Sequence, residues 1–174
     1  MNEERGLDLI KVADTVTFPM GVYSDKVGDI AELEEGSTVA IPSDPTNSGR
    51  ALLLIEQSGL IKLEEGLGVN ATVNDIVENE KNINFLELDS AQLPRQLGEV
   101  DAAAINSNFA LEAGLQPGKD SIFIEQDSTF VNLIATRTED KDDEAVQKFI
   151  DLYQTDEVKA FIEENFDGSV VPGW

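Results

Sequence analysis

An α/β fold with mostly parallel sheets is predicted by three features of the sequence. Short apolar strands alternate with helical segments along nearly the whole chain. The helical segments carry their own stop and start signals, glycines at their ends and Asp, Ser or Thr at their beginnings. Hydrophobic residues make up 41% of the 174 positions, enough to build one ordinary domain or two small lobes.

Residues 1–6 are polar and read as the tail of a helix closed by Gly6. Leu7, Leu9, Ile10 and Val12 predict a strand, followed by an extended stretch through Val16 and Phe18 to Tyr23. A short helix is expected over Asp29–Glu35, ended by Gly36. Thr38–Ile41 is a buried strand, and a helix with Ala51, Leu52, Leu54 and Ile55 on its apolar face runs on to Gly59. The spacing of Val73, Ile76 and Val77 predicts a helix over Thr72–Asn79. Residues 83–88 alternate like a strand, and Ser90 precedes a short helix near Leu93–Leu97.

Ala102–Ile105 is a strand of small residues, with a helix around Phe109–Ala113 stopping at Gly114. Strands are expected at Ile122–Ile124 and Phe130–Thr136. Lys141–Gln154 carries Val146, Phe149, Ile150 and Tyr153 at helical spacing, and a last helix begins at Thr155.

Charge and composition narrow the functional classes. Twelve basic against 35 acidic side chains give a net charge of −23, a surface that repels nucleic acid and anionic lipid. With no Cys and no His, the chain has no thiol or Ser-His nucleophile, no Cys/His zinc site and no disulfide. No motif asks for a cofactor. No apolar run reaches the ~18–20 residues of a membrane span, and residues 1–6 are not a signal peptide.

The stretch Pro42-Ser43-Asp44-Pro45-Thr46-Asn47-Ser48-Gly49-Arg50 holds the most information. Pro42 and Pro45 end the preceding strand, and Asp44, Thr46, Asn47 and Ser48 are helix-capping types. Arg50 lies in or near the first helical turn, where the macrodipole disfavours a cation. Either a ligand anion sits there, or Arg50 pairs with one of the many acids.

Asn106 and Asn132 follow or interrupt apolar strands, and a buried amide needs a partner in the backbone or in a ligand. Asn106 and the Arg50 turn both fall beyond the carboxyl ends of strands, the usual ligand position in open α/β sheets. Together they suit an amino acid, the cation for its carboxylate and amide oxygens for its ammonium. No catalytic group accompanies them, so binding without turnover is expected. Two other patterns read as ordinary structure. Gly66-Leu67-Gly68-Val69-Asn70-Ala71 follows no convincing strand, and Glu64-Glu65 would repel a pyrophosphate, so a turn is expected. Asp140, Asp142, Asp143 and Glu144 lack the glycine of a calcium loop and belong to a first helical turn.

The stretch from Val39 to Leu54 closely resembles the signature of the MetQ/NlpA lipoprotein family, the methionine-binding components of an ABC importer. Gly59–Leu63, Asp75–Asn79, Gln92–Arg95, Ala104–Asn106, Val131–Ile134 and the closing Gly173-Trp174 extend the resemblance collinearly from about Leu7 to the end. It implies a type II periplasmic-binding-protein fold, two lobes joined by crossing strands at Phe18–Tyr23 and Thr129–Thr136 and closing over the ligand. Residues 25–126 would form an inserted lobe, and 1–24 with 127–174 the remnant of a shared lobe.

The resemblance further implies that Arg50 pairs with a methionine carboxylate and that Asn106 and Asn132 hold the ligand's polar end, with Asn47 and Tyr23 at the pocket rim. Another amino acid or a short methionine-containing peptide are the alternative ligands. The implied partners are the importer's membrane and ATPase subunits, and the implied location is extracytoplasmic, lipid-anchored or periplasmic. Members of the family begin with a signal peptide, a lipidated Cys and an aromatic-rich βαβ portion that this sequence lacks. The expectation is therefore an N-terminally truncated form, with an incomplete first lobe and the polar half of the site.

Overall fold

The computed structural model describes residues 6–126 and 130–174. The chain divides into two compact units, one of Met1–Phe18 with Ser128–Trp174 and the other of Pro19–Asp127. In chain order the first unit opens with β1 (Leu9–Thr17). The second contains β2 (Gly21–Tyr23), β3 (Thr38–Pro42), α1 (Pro45–Gln57), β4 (Lys62–Leu63), β5 (Ile76–Glu78), β6 (Asn84–Leu88), β7 (Ala102–Ile105), α2 (Ser107–Glu112), α3 (Pro117–Asp120) and β8 (Ser121–Ile124). The first unit resumes with β9 (Val131–Arg137), α4 (Glu144–Tyr153), α5 (Asp156–Phe166) and β10 (Val171–Pro172).

The second unit is built on a five-stranded sheet in the order β6-β3-β7-β2-β8. Strand alternation divides its side chains between two cores. Val22, Val39, Ile41, Ala102 and Ala104 face Leu52, Leu54 and Ile55 of α1. Tyr23, Ala40, Ala103 and Ile105 face Leu93, Leu97, Val100 and Ala110 on the other side. A strand covered on both faces must be apolar throughout, which is why residues 102–105 read as an unbroken small-residue run.

Parallel pairing joins β3 to β6 and β7, whereas β2 runs antiparallel to both β7 and β8. The parallel pairs are reached through crossovers such as the one containing α1, which parallel strands require. β2 lies between β7 and β8 and opposes both in direction. Its hydrogen bonds to β7 and β8 put Gly21–Tyr23 inside this sheet, so the unit begins at Pro19 rather than at residue 25.

The first unit holds an antiparallel sheet, β10-β1-β9. Residues 9–17 form one strand, kept continuous past Asp14 by irregularities in its register with β9. Gly173 donates its N–H to the Thr15 carbonyl, and the Trp174 ring packs on Tyr153 at 5.3 Å between centroids. Asp143 caps α4 by accepting from the Ala145 amide and Glu144 opens that helix, whereas Asp140 lies in a preceding 3-10 turn and accepts from Arg137. Leu133, Phe149, Leu152 and Phe161 are each at least half exposed on this unit.

Three predicted helices are shorter or different. Asp29–Glu35 contains one 3-10 turn, Ile30–Glu32, and Leu93–Gln96 is also 3-10. Thr72–Asn79 begins as a 3-10 turn closed by a Thr72–Asp75 capping box and continues as β5, antiparallel to β4. The β-branched Ile76 and Val77 favour that strand once β4 offers it a ladder. Residues 66–71 form a turn with a single 3-10 segment, Gly68–Asn70. The helix tail expected at residues 1–5 and the strand start at Thr129 lie outside the described residues. No helix among the described residues is long and apolar enough to cross a membrane.

Gly49 of α1 sits where an added Cβ would collide with the Val69 backbone carbonyl. The Gly49→Ala substitution is expected to destabilise the fold by about 1–3 kcal/mol, despite alanine's better helix propensity. A thermal melt should show its midpoint lowered by several degrees, and an unchanged midpoint would refute this close approach.

Candidate functional site

Strand direction gathers the polar residues of the second unit at one sheet edge. β3 and β7 are parallel, so their carboxyl ends, followed by Asp44 and Asn106, lie side by side. β7 and β8 both run antiparallel to β2, which brings Glu125, just past β8, to the same edge as Met20, just before β2. This is the edge at which open α/β sheets receive ligands.

The helix on this edge is capped as its sequence requires. Asp44 accepts from the Asn47 amide N–H at 3.1 Å, and Pro45 occupies the first helical position, where no N–H is needed. Arg50 therefore falls in the second turn, pointing inward and only 9% exposed.

Arg50 pairs with Glu125. The Arg50 Nε donates to Glu125 Oε1 at 3.1 Å, and its Nη2 donates to Oε2 at 2.6 Å. Met20 secures the carboxylate, its N–H donating to Oε2 at 3.1 Å while the Glu125 N–H donates to the Met20 carbonyl at 2.9 Å. Both charged side chains are almost fully buried, so the bidentate geometry and the added backbone donor are what make two desolvated charges tolerable.

A second polar chain lies beside the same helix start. The Asn47 Nδ2 donates to both Asp44 carboxylate oxygens, at 3.1 and 3.0 Å. The Asn47 Oδ1 accepts from Asn106 Nδ2 at 2.9 Å. The Asn106 Oδ1 is then buried without a donor, one of two such side-chain atoms among the described residues; the other is the Tyr23 hydroxyl. Burial pushes the Tyr23 phenol well above its ordinary pKa, with the Asp120 charge adding to the effect. Ser107, also buried, donates to the Pro19 carbonyl.

Of the five residues singled out in the sequence, Arg50, Asn47, Asn106 and Tyr23 all belong to the second unit, Arg50 and Asn47 on α1. Tyr23 is buried in the sheet core beside Ala103 rather than at a rim, because its position in β2 points it into that face. Asn132 belongs to the first unit, on β9, exposed and donating to the Val16 carbonyl at 3.2 Å. Glu125 escaped sequence reasoning. Its one signal is an acid placed directly after the apolar run Ile122-Phe123-Ile124. Two surface cavities of the second unit, of about 220 and 260 Å³, lie around Gly59–Lys62 and Glu64–Gly68 and include none of these residues.

The fold is that of a two-lobed α/β protein, the class to which its structural neighbours belong. A nutrient-binding protein from Burkholderia cenocepacia, solved bound to methionine, superposes with a TM-score of 0.89 at 47% identity, over 99% of this chain and 73% of that one. The crystal structure of the methionine-binding protein MetQ superposes with a TM-score of 0.87 at 46% identity, over 99% of this chain and 72% of that one. The family model described as NlpA lipoprotein matches residues 1–174, and the chain belongs to that family. The D-methionine-binding lipoprotein MetQ of Escherichia coli K12 is 47% identical over 175 residues, covering 99% of this chain. The chain spans about 65% of the length of that curated relative.

Replacing Glu125 with Ala would remove the bidentate carboxylate that the buried Arg50 guanidinium holds. A loss of about 3–5 kcal/mol is expected in urea unfolding. Glu125→Gln, which keeps two polar atoms in place, should lose less, and equal losses for the two variants would contradict the pairing.

Proposed function

We propose that this chain contributes polar contacts to a methionine site in an extracytoplasmic solute-binding protein that serves an ABC importer, and that it binds without catalysis. The observation carrying this reading is the juxtaposition at one sheet edge of a buried guanidinium and a buried amide oxygen that lacks a donor. An amino acid offers the complement to both, a carboxylate for Arg50 and an ammonium for Asn106 Oδ1. Glu125 holds the Nε–Nη2 edge of the guanidinium, and the pairing of Arg50 with the ligand carboxylate draws on the family resemblance. Asn132 is assigned to the ligand's polar end on the family resemblance alone, and Asn47 acts one step back from Asn106.

Family membership and the methionine named for the relatives support methionine over other ligands. Lipoprotein relatives support a lipid-anchored location outside the cytoplasm, and delivery to an importer's membrane and ATPase subunits draws on the family resemblance. Another amino acid or a short methionine-containing peptide would use the same polar contacts. A second reading, that the chain by itself binds nothing, draws on the half-exposed Leu133, Phe149, Leu152 and Phe161 of the first unit.

Isothermal titration with L- and D-methionine tests the proposal. Saturable heat is expected from the unaltered chain, and none with either isomer favours the second reading. Arg50→Lys retains the charge but not the planar fork. It should weaken binding by about 10- to 150-fold, the worth of a charge-assisted contact. Unchanged affinity in a folded Arg50→Lys protein would remove Arg50 from the site.

A further inference from the structure

We infer that Asp44 is a positioning residue that fixes the Asn106 amide as a hydrogen-bond acceptor and thereby makes the site demand an ammonium-bearing ligand. The inference rests on the reading of Asn106 proposed above and extends it to two residues that touch no ligand.

The argument is one of donors and acceptors. A primary amide can be turned end for end at little steric cost, so its direction is decided by its neighbours. Ionised Asp44 only accepts. Its two oxygens, at 3.1 and 3.0 Å, therefore oblige Asn47 to present its NH₂ group. The Asn47 oxygen must then point the other way, where Asn106 meets it at 2.9 Å. An oxygen there obliges Asn106 to present its own NH₂ in turn. What remains is the buried, unpartnered Asn106 Oδ1. Each link removes one choice, and the carboxylate at the head of the chain sets the polarity of the last atom.

Capping explains only part of this arrangement. The Asn47 backbone N–H already satisfies the cap at 3.1 Å, and Ser would do that as well as Asp. The two further contacts to the Asn47 side chain need a carboxylate. Without it, both amides could reverse together and keep their mutual hydrogen bond. Asn106 would then offer NH₂ groups to the ligand, repelling an ammonium.

Two variants separate orientation from capping. Asp44→Ser keeps a helix cap and loses the double acceptor. Asn47→Asp in the same background puts an acceptor-only group directly against Asn106 and makes the Asp44 carboxylate unnecessary. Affinity is measured by calorimetry for methionine and for its deamino analogue, which retains the carboxylate and side chain. The unaltered chain is expected to prefer methionine by about tenfold or more. Asp44→Ser should abolish that preference by weakening methionine alone, and the double variant should restore it.

An Asp44→Ser protein that keeps the full preference overturns the inference while leaving the Asn106 reading standing. So does a lost preference that the double variant fails to restore, since Asp44 would then be structural only. An unaltered chain that binds both compounds alike, or neither, overturns the Asn106 reading and the inference with it.

Discussion

The buried pair of Arg50 and Glu125 is the contact on which the second unit's polar edge depends. It joins three pieces of chain that have no sequence proximity, the second turn of α1, the end of β8 and the entry to β2 at Met20. A guanidinium and a carboxylate at this depth are each costly alone, and their cost is met only while both are held in register. The reciprocal backbone bonds between Met20 and Glu125 supply that register. The strand order does the rest, since two strands antiparallel to β2 must finish at the edge where β2 starts.

Two polar systems thus share the start of α1 while answering different demands. The Arg50–Glu125 system spends much of its hydrogen bonding on internal charge neutralisation. The Asp44–Asn47–Asn106 system is neutral beyond its first member and passes on direction rather than charge. Its end is an acceptor, and an acceptor buried without a donor costs free energy unless something supplies one. On the proposed reading, helix capping and ligand recognition would both fall to the same short turn, constraining its composition twice.

The first unit has a different character. Its sheet is antiparallel, and its closing residues fasten β1 through the Gly173 amide and pack the Trp174 ring at a tilt against Tyr153. Its helices nonetheless leave aromatic and aliphatic side chains half exposed, including Phe149 of α4, whose helical spacing alone would have assigned it to a core. Periodicity says which face is apolar. It does not say whether anything covers that face.

Local chemistry was legible from the residues alone. The α/β class, the strand at 38–41, the helix opened by Asp44 and Pro45, and the polar character of Asn106 all follow from side-chain volume, capping and buried-amide arguments that need only near neighbours. The family resemblance carried by the stretch around Arg50 was equally legible. What the tertiary structure decided were pairings between distant residues. Whether 72–79 would be helix or strand depended on the presence of β4, and whether Tyr23 lay at a rim or in a core depended on which strands flank β2. The partner of Arg50 was one of 35 acids, and no local rule selects Glu125 from among them. That choice belongs to strand direction, which places residues 20, 50 and 125 together only once the sheet has formed.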